Sequence, residues 1–62
     1  MEIYKEYLEL SMTQNKGIIL YFDGQSINGV VTNISLQGVE LKNREFGRIF
    51  ISGDKISGVA LN

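Results

Sequence analysis

The sequence predicts a mainly β domain: an N-terminal α-helix followed by a strongly bent, five-stranded antiparallel barrel that stays partly open. Three observations predict it. Apolar side chains in residues 2–13 recur with a helical period, and the period changes after Gly17. An Asp23-Gly24 pair sits between two apolar runs, a strong signal for a two-residue hairpin turn. Two patterns, Gly24-x-x-Ile27-x-Gly29 and Ile51-x-Gly53-Asp54-x-Ile56, place glycine where a strand must turn or bend hard, among aliphatics able to fill a small barrel.

The helix is expected over about residues 2–13. At about 100° per residue, Ile3, Tyr4, Tyr7, Leu8, Leu10 and Met12 share one broad face, with Glu2, Lys5, Glu6 and Glu9 opposite. Lys5 and Glu9 stand at i,i+4 spacing for an ion pair, and the early acids suit the helix dipole. Asn15 or Gly17 can take the left-handed conformation that ends a helix. Tyr4 and Tyr7, at helical spacing, are expected to cover the barrel end.

The barrel is expected over about residues 17–61, which with the helix makes a single domain of residues 1–62. Residues 18–22 are a β-branched and aromatic run, closed by the Asp23-Gly24 turn. Residues 27–34 form the second strand, in which Gly29 permits a bend or the close approach of another backbone. Val39 and Leu41 alternate with Glu40 and Lys42, as in a half-buried third strand. Residues 43–47 read as a turn, 48–51 as the fourth strand, Gly53-Asp54 as a short connection, and 55–61 as the fifth. One helix and five short strands with tight turns imply an SH3-like or OB-like open barrel. Its edge strands are expected to be the fourth and fifth, and exposed edges invite pairing with another chain.

Composition narrows the function classes. A chain of 62 residues buries only about 60% of its extended surface, and domains this small usually add a disulfide, a metal or a partner subunit. There is no cysteine and no histidine. Disulfides, thiolate metal sites and the commonest general base are therefore excluded, and self-association is the stabiliser left. The net charge is −1 and the pI about 5.1, which does not favour strong nonspecific binding to nucleic acid. Residues 1–31 carry −2 and residues 32–62 carry +1, so any basic face belongs to the second half. No apolar run approaches a bilayer span, and the first residues do not resemble a signal peptide, so a cytoplasmic protein with no membrane partner is expected.

The order helix, Gly24-x-x-Ile27-x-Gly29, Val39-x-Leu41, Ile51-Ser52-Gly53-Asp54-Lys55-Ile56 resembles the Sm/Lsm superfamily, including its Hfq-like members, over about residues 7–61. The resemblance implies a helix-capped Sm-like barrel assembled by edge-strand pairing into a homo-oligomeric ring, a hexamer or heptamer. It also implies binding of single-stranded, often U-rich, RNA at the pore-side turns. Carried over by position, the RNA-binding candidates are Ser35, Leu36 and Gln37, with Ser52, Gly53 and Asp54. The chain departs from the family at the pocket. Ser35 stands where an Asp is common, and Gln37 near where Hfq-like members place a stacking aromatic. Val39 replaces the Asn that reads uracil in Lsm members. Ser52 stands for the usual arginine, and Ser52 and Gly53 occupy the place of the Hfq-like Lys-His pair. Stacking on an aromatic contributes about 1–3 kcal/mol per base in single-strand binders. A structural or scaffolding homo-oligomer that has lost the usual RNA pocket is therefore the alternative expectation.

Lys42, Arg44 and Arg48 bracket the third turn as a secondary basic patch able to touch phosphates, with Phe46 between them for stacking. The plainer expectation is a solvated hairpin with Phe46 over the barrel mouth. Asp54 is expected to form a turn through its side chain. Ser35 and Ser52 have no His or Lys base at motif spacing, so no enzyme activity is expected. The acids form no metal loop, and no cofactor is implied. Asn33-Ile34-Ser35-Leu36-Gln37-Gly38 is also similar to the signature of PilZ domains, which implies cyclic di-GMP binding as a remote alternative. The basic segment that PilZ domains place before the first strand is missing, since residues 1–17 contain no arginine.

Overall fold

The computed structural model describes residues 2–61 of the chain; Met1 and Asn62, the ends of the expected domain, lie outside the described residues. A 3-10 turn (Glu2–Tyr4) leads into helix α1 (Lys5–Gln14). Five strands follow: β1 (Ile18–Phe22), β2 (Gln25–Ile34), β3 (Gly38–Asn43), β4 (Gly47–Ser52) and β5 (Ile56–Leu61). They form one bent antiparallel sheet in the order β4-β3-β2-β1-β5, so β4 and β5 are its edges. Among the described residues, no helix is long and apolar enough to cross a membrane.

Local chemistry explains the path of the chain. Asp23 and Gly24 both adopt positive φ, 48° and 73°, the conformation of the tight turn that matches strand twist. Phe22 then pairs with Gln25, so the hairpin loop is two residues long. The β2 strand is long enough to serve two partners. Its first half pairs with β1 as far as Gly29, and its second half pairs with β3 from Val30. The hand-over falls at Gly29, where a Cβ would lie 2.6 Å from the Lys42 carbonyl oxygen. Glycine is required there by the neighbouring backbone. A bulge between Val31 and Asn33 bends β2 further, and the Thr32 hydroxyl donates to the Glu40 carboxylate at 2.8 Å.

The sheet wraps a core of Leu8, Ile18, Leu20, Val31, Val39, Leu41, Ile51 and Ile56. Helix α1 closes one end, resting on β2 and β5. The expected broad apolar face is only partly used. Leu8 and Ser11 are buried and Tyr4 packs against the core, whereas Ile3, Tyr7 and Met12 remain exposed. Tyr4, Leu8 and Ser11 stand at i, i+4 and i+7, a narrow stripe suited to a helix that crosses the rim of a small barrel. Of the two tyrosines expected to cover the barrel end, Tyr4 does so and Tyr7 does not.

Ser11 is buried for a specific reason. Its hydroxyl donates to the Lys16 carbonyl at 2.5 Å and accepts from the Val31 N–H at 3.1 Å. Val31 stays paired with Leu41 beside the bulge, but β1 ends opposite Gly29, and Ser11 supplies the acceptor that the buried Val31 amide needs. The helix ends on Asn15, in the left-handed conformation, and the Lys16 N–H closes the turn onto the Ser11 carbonyl at 3.0 Å.

Candidate functional site

The two turns singled out by the sequence meet at one end of the sheet. Residues 35–37 connect β2 to β3, and a 3-10 turn (Gly53–Lys55) connects β4 to β5. Gly38 pairs with Ser52 in the β3–β4 register, which brings the start of β3 beside the end of β4. A single hydrogen bond then joins the turns: the Gly53 N–H donates to the Gln37 carbonyl at 2.8 Å. The approach is close enough to require glycine at position 38, where a Cβ would collide with the Ile51 carbonyl oxygen and lie 2.8 Å from Cζ of Phe50.

The six candidate residues divide by role. The Ser35 hydroxyl accepts from the Gln37 and Gly38 N–H groups, both at 3.3 Å, and the Ser35 N–H donates to the Gly38 carbonyl at 2.9 Å. Ser35 therefore shapes its turn from within. Gly53 supplies the joining amide. Leu36 is fully exposed at the tip, and Gln37, Ser52 and Asp54 are exposed around it. The second turn is closed by backbone, with the Ile56 N–H donating to the Gly53 carbonyl. Four side chains thus face solvent together: an apolar tip, an amide, a hydroxyl and a carboxylate, with exposed Lys55 beside them. Such groups suit hydrogen bonding to base edges and apolar contact with base faces better than neutralising phosphate. Val39 is fully buried in the core, so position 39 offers nothing to a ligand.

The secondary basic patch is a separate feature. Lys42 lies directly opposite Arg48 in the β3–β4 register, and Arg44 occupies the turn beyond them. They sit toward the other end of β3 from Gly38, roughly 13–20 Å away at about 3.3 Å per residue. Asn43 holds the turn between them. Its Oδ1 accepts from the Glu45 and Phe46 N–H groups at 2.8 and 2.9 Å, and its Nδ2 donates to the Asn28 carbonyl at 2.7 Å. Phe46 borders the open cleft between the strands with Ile49 and Ile51, yet stays 66% exposed.

Gly38 and Asn43 were the site-forming residues least evident from pattern alone. A glycine ending a turn and an asparagine opening one were their only sequence signals. A comparison with models of known families finds no match, and a comparison with characterised proteins finds no related sequence.

Proposed function

We propose that this chain is a non-catalytic, Sm-like protein of the cytoplasm that assembles edge to edge into a homo-oligomeric ring and binds single-stranded RNA. The RNA site is the junction of residues 35–37 with residues 52–54. The observation that carries this reading is the Gly53–Gln37 hydrogen bond, which fuses two turns into one surface with Leu36, Gln37, Ser52 and Asp54 exposed. The strand order supports assembly. β4 and β5 are both free edges. β5 carries no charge, no proline and no inward-pointing Lys or Glu along its six residues, none of the devices that protect an edge. Pairing β4 of one copy with β5 of the next would remove both edges and bury surface that a domain this small cannot bury alone.

A scaffolding oligomer without RNA is the second reading. It is favoured by the Ser35 hydroxyl, which is spent on its own turn, and by the carboxylate of Asp54 in the site. Filter binding with U-rich and A-rich oligomers across a salt range separates the two. Retention that weakens when Gln37 and Ser52 are replaced by Ala supports the RNA reading. A ring that retains neither oligomer at low salt supports the scaffold.

A further inference from the structure

The outer face of the β3–β4 hairpin concentrates positive charge against the interest of the sheet. Lys42 and Arg48 are exposed and directly opposed, a like-charged cross-strand pair that destabilises a hairpin unless an anion lies between. Arg44 adds a third exposed cation, on a turn fixed by the Asn43 Oδ1, which accepts from the Glu45 and Phe46 N–H groups. Of the two carboxylates of the hairpin, Glu40 shares this face, opposite Phe50, and Glu45 does not. Glu40 is drawn toward β2 by the Thr32 hydroxyl, and Glu45 borders the cleft on the core side of the sheet. Lys42 and Arg44 together border two grooves. One, of about 400 Å³, includes Gly17, Asn28 and Gly29; the other, of about 450 Å³, runs toward Met12 and Asn15 at the end of α1. Among the described residues, no carboxylate lines either groove.

The same face reaches the turn junction. Phe50 lies opposite Glu40, two residues from Arg48, and its ring rests over Gly38 while staying 53% exposed. We infer that Lys42, Arg44 and Arg48 form a phosphate-binding strip for the backbone of single-stranded RNA, distinct from the turn junction and linked to it by the exposed ring of Phe50. The inference rests on the reading of the ligand as RNA and extends its path along the hairpin. The guanidinium groups and the ammonium form charge-assisted hydrogen bonds to successive phosphates, and Phe50 offers a face for a base.

The test uses two probes: a U-rich RNA oligomer, and inorganic polyphosphate, which carries phosphates and no bases. Binding to each is measured by competition against a labelled RNA and by direct calorimetry, over a range of salt. The wild type is expected to bind both. Three phosphate contacts predict that log K for RNA falls by about 2 for each tenfold rise in salt. The triple variant K42A/R44A/R48A is expected to lose polyphosphate binding and most of that slope, and K42R to keep both. Urea unfolding of the triple variant checks that it folds, which the loss of an opposed like-charge pair favours. The turn variant Q37A/S52A is expected to weaken RNA binding and leave polyphosphate binding intact. Unchanged polyphosphate binding or salt slope in the folded triple variant overturns the strip, as does a wild type that binds no polyphosphate at low salt. RNA binding unchanged in the turn variant overturns the turn junction alone.

Discussion

Replacing Ser11 with Ala removes a side-chain hydrogen bond that ties the helix to the bulged strand. Ser11 is fully buried, and its hydroxyl makes two hydrogen bonds of opposite sense, from Val31 N–H at 3.1 Å and to Lys16 C=O at 2.5 Å. In S11A the buried Val31 amide has no partner, which costs about 1–3 kcal/mol. The Lys16 carbonyl, at the helix exit, turns to water and loses about 0.5–1.5 kcal/mol of net hydrogen bonding. Together the change is expected to destabilise the fold by about 1.5–4.5 kcal/mol, a large share of the total for a small domain. Urea unfolding at fixed protomer concentration measures it, since the proposed assembly would make apparent stability depend on concentration. Thr13→Ala is the control: the Thr13 hydroxyl donates only to Glu9 C=O on the exposed helix surface, and its loss is expected to change stability by less than about 0.5 kcal/mol. Hydrogen exchange adds a local readout, with the Val31 amide losing protection in S11A. A stability within about 0.5 kcal/mol of wild type, with unchanged exchange at Val31, would refute the assigned role of Ser11.

Further substitutions test the turn junction, the basic turn and the free edge. Gly38→Ala is expected to cost at least about 2 kcal/mol by urea unfolding, because the new Cβ meets backbone at Ile51 and the ring of Phe50. It should also raise amide exchange at Gly53, whose partner is the Gln37 carbonyl. Asn43→Ala is expected to cost about 1–3 kcal/mol, since two turn amides lose their acceptor; Asn43→Asp, which keeps that acceptor, should recover part of the loss. Ala60→Lys puts a charge on the free β5 edge and is expected to shift sedimentation toward the monomer with little change in far-ultraviolet circular dichroism.

The elements set by local chemistry are legible in the sequence, and those set by contacts across the fold are not. Asp23-Gly24 declares its turn because only positive φ at both residues lets two strands twist correctly out of a two-residue loop. Gly29 announces a bend because a strand rarely keeps glycine without one, although the carbonyl it avoids, that of Lys42 on the neighbouring β3, lies far along the sequence. Ser11 is hidden. A serine among Leu10 and Met12 looks like a polar interruption, and its burial makes sense only once β1 is seen to end opposite Gly29, where the Val31 amide needs an acceptor. For the same reason the apolar arc of Ile3, Tyr7 and Met12 overstates the contact, since the rim of the barrel admits a narrow stripe. At the candidate site, positional analogy picked out two turns that the fold does set side by side, but it did not separate Ser35 and Gly53, which build the turns, from Leu36, Gln37, Ser52 and Asp54, which face outward.

Native mass spectrometry of the protein mixed with a U-rich single-stranded RNA tests the central claim most directly, because assembly and binding are read from one spectrum. The proposed function predicts a closed hexamer or heptamer that carries the oligomer and that the Ala60→Lys substitution dissociates. A spectrum of monomers alone at micromolar concentration, with no RNA attached, would contradict it.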